Sequence, residues 1–469
     1  MKNKKIAFLS ACEMRTKIKN QELSSQEITE VIINQIQEKN PVINAFCTST
    51  FELARIMAKE SDLKIKHGKD LGVLEGIPIS IKDGMETRDI RTTFGCKIYE
   101  NYIPKEDEIA VQRIKNEGGV ILGKTNTPAF GFQPVTDNLI FGQTKNPWNL
   151  EKTPGGSSGG AAAQIASGMG PLALGSDGGG SIRLPSSLCG IFGFKPTFGR
   201  IPRYPPHGVT WDTLDHYGPL VRYVEDAALM MDALAGYFPG DRHSIRSQTE
   251  SYLDSLTEKP PNLRIGTSMD LGFVKALDPE IEETVLSSAQ KFTQFGWDVN
   301  AVKLKLHRAE LCFNTLVTSG FAYDLNLKKH EDILDENLVK MIKAGQTYSG
   351  TDVKRAEAQR QKIFEEVAKV FQEIDILITP TTACTAFDLG MMYPPKINGR
   401  GVSPVGWMSF TFPFNLTGNP AATIPCGFSE DGLPIGMQLI GNRYADRFVL
   451  QVSKAFQDIA PWQEKKPNF

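Results

Sequence analysis

The chain has 469 residues, 41% hydrophobic and 23% charged, proportions that exclude disorder for its bulk. That length suits two or three ordinary domains or one large α/β domain. Lys and Arg number 52 against 54 Asp and Glu, a formal net charge of −2, so composition offers no broad basic face for nucleic acid or an acidic membrane.

At the N-terminus, Leu9-Ser10-Ala11-Cys12 stands behind Lys2, Lys4 and Lys5, in the manner of a lipoprotein cleavage site. The apolar run Ile6–Ala11 is shorter than a signal core and Glu13 follows at once, so the segment is read as part of the folded chain. No stretch approaches the roughly eighteen apolar residues of a membrane span. Cys12, Cys47, Cys96, Cys189, Cys312, Cys384 and Cys426 show no CxxC spacing. An odd number of scattered thiols suits a reducing, cytoplasmic setting better than a disulfide framework or a zinc site.

Ser24 and Glu27 form a capping-box pair, and Ile28, Val31, Ile32 and Ile36 follow at helical spacing. In Gly76–Gly84, GIPISIKDG, Ile77, Ile79 and Ile81 alternate with smaller residues. This predicts a strand that ends in a turn at Asp83-Gly84 and delivers Lys82 to its C-terminal edge. GGVILGK follows the helical EIAVQRIKNE, and PLALGS follows GGAAAQIASG, with a strand expected over Leu172–Leu174. NLRIGT, DILITP, AATIPCG and PIGMQLIG are further strands among helices. The alternation predicts one α/β domain over residues 1–469, its central mixed, twisted sheet covered by helices on both faces. Pro260-Pro261 reads as a loop inside that domain, and the polar, helix-rich stretch 303–373 as a candidate cap.

Thr153–Ser187 holds two glycine-flanked serine clusters. SDGGGS, Ser176–Ser181, follows a predicted strand, and its glycines let backbone N–H groups converge on a phosphate or an oxyanion. A phosphate loop would require a lysine that is missing here, and GMGPLA at Gly168–Ala173 leads from helix to strand, the reverse of a dinucleotide motif. No cofactor and no metal are therefore expected. GSSGG, Gly156–Gly160, fits GxSxG with Ser158 as the nucleophile of a hydrolase elbow. His207, His216, His243, His307 and His330 are available as its base, but KNPWNLEKT does not read as the strand an elbow follows. Plain tight turns are the third reading.

GGSSGG, SDGGGSIRLPSSLCGIFGFKPT and the upstream GIPISIKD together resemble the amidase signature family. The likeness runs from LSACEMRT to GLPIGMQLIG, nearly the whole chain, with its core over about 76–200. The resemblance implies a histidine-free Ser–Ser–Lys arrangement: Lys82 as base, Ser157 as bridge behind a cis peptide bond, and Ser181 as nucleophile. Backbone N–H groups of Gly178, Gly179, Gly180 and Ser181 would form the oxyanion hole, with Asp177, Arg183 and Ser158 in support. Gly178 departs from many members, which carry Thr or Ile there. The chemistry is coherent, because an ordinary lysine is protonated at pH 7 and burial at the end of an apolar strand lowers its pKa.

The implied reaction is hydrolysis of a carboxylic amide, with aryl amides, esters and carbamates included, through a Ser181 acyl-enzyme. GRIPRYPPHG and LDHYGP look like the stand-alone members. The alternatives are the amide-hydrolysing subunit of a glutamine-dependent tRNA amidotransferase and an inactive scaffold on the same fold. The expected partner is a small amide, with no nucleic acid and no membrane; a homodimer is left open. Trp407, Phe410, Phe412 and Phe414 read either as core or as the lining of an acyl pocket.

Overall fold

A computed structural model describes residues 2–69, 71–206, 208–246, 250–258 and 260–469. In chain order the first strands are β1 (Phe46–Ser49), β2 (Pro78–Lys82), β3 (Val120–Thr125), β4 (Leu172–Asp177), β5 (Phe192–Lys195) and β6 (His216–Val221). Then come β7 (Arg264–Thr267), β8 (Asp298–Ala301), β9 (Ile376–Pro380) and a short ribbon, β10 (Lys396–Ile397) with β11 (Arg400–Gly401). Last are β12 (Ala421–Phe428) and β13 (Pro434–Gly441).

All but the ribbon form one 11-stranded sheet in the order β1-β3-β2-β4-β6-β5-β12-β13-β9-β7-β8. Two parallel triplets, β3-β2-β4 and β9-β7-β8, flank an antiparallel centre. The fold is thus a single α/β domain built on a mixed sheet. Every residue of β2, β3, β9 and β13 is buried, as expected of strands covered on both faces. β4 continues past the expected Leu174 to Asp177, because Ser176 and Asp177 pair with Tyr217 and His216 of β6.

The predicted helix starts at its capping box: Ser24 accepts from Glu27 N and the Glu27 carboxylate caps Ser24 N, heading Ser25–Ile43. The Leu9–Cys12 segment has a local explanation of the same kind. Ser10 and Glu13 form a second capping box and place Cys12 inside the helix Ala11–Lys19. The Pro260-Pro261 segment, whose Lys259 lies outside the described residues, leads directly into β7 of the same sheet. Helices Ala309–Asp324, Glu336–Gly345 and Gly350–Val370 pack together as a second apolar cluster against the loops around Trp407 and Phe412. No described helix is long and apolar enough to cross a membrane. All seven cysteines are free thiols.

Candidate active site

Lys82 is the last residue of β2, which lies parallel to β3 and β4. Its side chain therefore leaves the sheet at the carboxyl ends of three parallel strands, where open α/β sheets place ligands. Its Nζ donates to Ser157 Oγ at 2.7 Å and to Ser176 Oγ at 2.9 Å. Lys82 is 2% exposed. Burial brings its pKa down to about 8, against the upward pull of Asp215 and Asp177.

Ser157 follows a cis peptide bond, Gly156–Ser157. A side chain at Gly156 would meet the Val135 backbone at 2.7 Å, so only glycine lets the segment lie this close. Ser181 is half-buried and lines the same cavity as Lys82, Ser157 and Ser176. Ser158 N donates to Ser181 O at 3.2 Å, tying the two serine loops together. The resemblance implied simultaneous links from Ser157 to Lys82 and Ser181. Only the first is made here, and no hydrogen bond joins the Ser157 and Ser181 hydroxyls.

The loop Gly178–Ser181 turns from β4 into the helix Arg183–Cys189. Within the described residues, none of its four backbone N–H groups is taken by an acceptor. Asp177 and Arg183, both fully buried, brace it with an ion pair of 2.8 Å. The Asp177 carboxylate also accepts from the backbone of Ile182 and Arg183, at 3.2 and 3.3 Å. Arg183 reaches on to Thr411 O at 2.9 Å, Gln438 Oε1 at 2.6 Å and Asn415 Oδ1 at 2.6 Å. Burial alone would raise the Asp177 pKa; the Arg183 charge and hydrogen bonds reverse this and hold it well below the carboxylate range.

The elbow reading of Ser158 lacks its parts. Ser158 is fully buried, its Oγ is engaged with the backbone O and N of Ser176 at 3.2 and 3.4 Å, and the preceding strand, β3, ends at Thr125. No described histidine lines the cavity. His216 Nδ1 lies 2.7 Å from Leu214 O, and burial pushes the ring's pKa well below its ordinary value. His207 lies outside the described residues.

A second buried lysine lies outside the cavity. Lys124 also falls to about 8 through burial. However, it donates to Met85 O and, at 3.0 and 2.9 Å, to Thr87 and Thr92 hydroxyls away from the cavity. Trp407, Phe410, Phe412 and Phe414 are completely buried core residues, with Phe412 stacked on Phe313 at 5.0 Å. The aromatic wall of the cavity is instead Phe94, Phe130 and Trp211. Also lining the cavity, Arg203 pairs with Asp215 at 3.4 Å and its guanidinium lies 5.3 Å from the Tyr217 ring centre.

Sequence reasoning missed these lining residues and Ser176. Ser176 was within reach, since it immediately precedes the singled-out Asp177; the others sit on loops that carry no periodic signal.

The chain matches the Amidase family over residues 27–450. It belongs to that family. It is 36% identical over 473 residues to an acylamidase of Rhodococcus erythropolis, covering 100% of this chain and 98% of that one. It is also 34% identical over 487 residues to a glutamyl-tRNA(Gln) amidotransferase subunit of Sulfurihydrogenibium sp. strain YO3AOP1, covering 97% and 98%. Among solved structures, a bacterial aryl acylamidase of the amidase signature enzymes superposes with a TM-score of 0.91 at 30% identity, covering 97% of each chain. The amidase is accordingly a hydrolase of amide C–N bonds, on the amidase signature fold.

Proposed function

We propose that the amidase hydrolyses a small carboxamide by itself, through an acyl-enzyme on Ser181. The observation that carries this reading is the 2.7 Å contact of buried Lys82 with Ser157. With its pKa near 8, Lys82 is neutral in about a tenth of molecules at pH 7 and in most above pH 8, far more than an ordinary lysine. The neutral amine has two N–H groups and one lone pair. The protonated amine donates to both hydroxyls; once neutral, it can keep its donation to Ser176 at 2.9 Å while its lone pair accepts from Ser157, which reverses the Ser157 contact.

Ser181 Oγ attacks the amide carbon, the Ser181 proton passes to Ser157, and the Ser157 proton passes to Lys82. The carbonyl π bond becomes an oxyanion, which accepts from the N–H groups of Gly178, Gly179, Gly180 and Ser181. Collapse breaks the C–N bond, and the proton on Lys82 returns through Ser157 to the departing nitrogen, which leaves as amine or ammonia. Water then attacks the Ser181 ester by the same relay, releasing the carboxylic acid and restoring the Ser181 hydroxyl. Asp177, Arg183 and Ser158 hold the two serine loops in register.

Labelling with a fluorophosphonate followed by peptide mass spectrometry tests the assignment. The adduct is expected on Ser181 and absent from Ser181→Ala; an adduct on Ser158 overturns it.

The likeness to the amidotransferase protein favours a second reading, glutamine hydrolysis beside a tRNA-binding companion. It predicts activity only with that companion and free glutamine, whereas the stand-alone reading predicts turnover of simple amides by the purified chain. Seven free thiols fit work in a reducing cytoplasm.

A further inference from the structure

At Gly178, which the resemblance sets apart from many family members, the structure leaves no room for a side chain. A Cβ on Gly178 would lie 2.5 Å from Trp211 Cε3 and 2.8 Å from Cζ3. The indole occupies the space that a side chain at 178 would fill. Trp211 comes from the loop before β6, is half-buried, and faces the cavity that holds Lys82, Ser157 and Ser181.

Four further observations show a built wall rather than a chance neighbour. Trp211 Nε1 donates to Phe130 O at 2.9 Å, and Phe130 N donates to Phe94 O at 2.8 Å. These three of the cavity's four aromatic residues, Tyr217 being the other, are thus chained by hydrogen bonds. Phe94 and Phe130 both hold left-handed backbone conformations, with φ of 53° and 51°. Bulky residues rarely adopt that region, and such strain persists where the surrounding structure imposes it, often at ligand clamps. Their rings lie 6.4 Å apart at 25°. The indole is braced from the helical side by Phe321, edge-on at 5.8 Å and 88°.

We infer that Trp211, seated on Gly178, forms with Phe130 and Phe94 an aryl-binding slot of the catalytic cavity and is its specificity-determining residue. The substrate class is an amide with a planar ring on its acyl or its amine arm. Ring-on-ring contact favours such an arm over an aliphatic one of equal reactivity. A residue with a β-carbon at 178 would drive the indole out and close the slot. The inference rests on the proposed amide hydrolysis, deepening its substrate class.

The test compares kcat/KM for benzamide and acetanilide, each as a ratio to acetamide, in the wild type, Trp211→Phe, Trp211→Leu and Trp211→Ala. At least one aryl ratio is expected to fall tenfold or more in Trp211→Leu and Trp211→Ala, through KM, while Trp211→Phe keeps most of it. Aryl ratios that stay constant in Trp211→Leu, because all three amides fall together or none falls, overturn the slot.

Calorimetric binding of benzamide and acetanilide to Ser181→Ala, with and without Trp211→Leu, separates this idea from the reaction itself. Aryl binding that needs Trp211 in a wild type that hydrolyses nothing upholds the slot and defeats the hydrolase site. Aryl binding indifferent to Trp211 defeats the slot.

Discussion

Lys82 Nζ donates to Ser157 at 2.7 Å and to Ser176 at 2.9 Å, so one buried amine is gripped by a loop serine and a strand serine together. The two contacts carry different duties in the proposed relay. Ser157 exchanges a proton with Lys82; Ser176 only orients it. Ser176→Ala should therefore lower kcat about tenfold, roughly one hydrogen bond's worth, with KM nearly unchanged. Steady-state kinetics on a simple amide checks this.

Lys82→Met removes the base. The loss in kcat/KM should be about 10²–10⁴-fold, the usual range for general-base catalysis. In the wild type only the neutral amine starts the relay, so kcat/KM should rise with pH through about 8 and level off above it. The variant's residual rate should lack that rise. A pH–rate profile measures both.

The same lysine should cost the fold stability. Burial lowers its pKa from 10.5 to about 8, a penalty on the order of 3 kcal/mol while both folded and unfolded chains are protonated. Between those two values the folded chain releases its proton first, so the penalty shrinks as pH rises toward 10.5. Lys82→Met should therefore melt higher than the wild type at pH 7, and the gap should close on moving to alkaline pH. Thermal melts across that range read it directly.

Arg183→Met strips a fully buried carboxylate, Asp177, of its cation. Removal of one partner from a buried pair typically costs about 3–5 kcal/mol. Denaturant unfolding should show a loss of that order, and kcat should fall as well, since the pair braces the Gly178–Ser181 turn.

His216→Ala should alter stability without abolishing turnover, because the imidazole lies outside the cavity and its Nδ1 faces Leu214 O at 2.7 Å. A loss in kcat equal to that of Lys82→Ala, in a variant that still folds, would show that the base has been misassigned.

The elements legible in advance were those with a local cause. The capping box at Ser24 and Glu27 starts its helix, and Pro78–Lys82 is a strand buried from end to end. Four strands of the sheet, β1, β5, β6 and β8, were not read in advance, and two of them show why. β8, Asp298–Ala301, is mostly exposed and has no apolar alternation; it is a strand because β7 pairs with it. β6 contains Pro219 opposite Leu174 of β4, a residue that argues against an inner strand when read alone. There the sheet on either side overrides local preference.

By itself, the sequence was enough to determine the α/β class and the family resemblance, and to single out Lys82, Ser157, Ser181, Asp177 and Arg183 as candidates. Motif spacing, glycine content and hydrophobic period are properties of neighbouring residues in the chain, so they survive without coordinates. Only the tertiary structure decided that Ser176 holds Lys82, that Trp407–Phe414 is core, and that Phe94, Phe130 and Trp211 wall the cavity. Those contacts join segments dozens to hundreds of residues apart. Which side chain fills the space above Gly178 is set by packing between such segments, and a one-dimensional pattern carries no record of it.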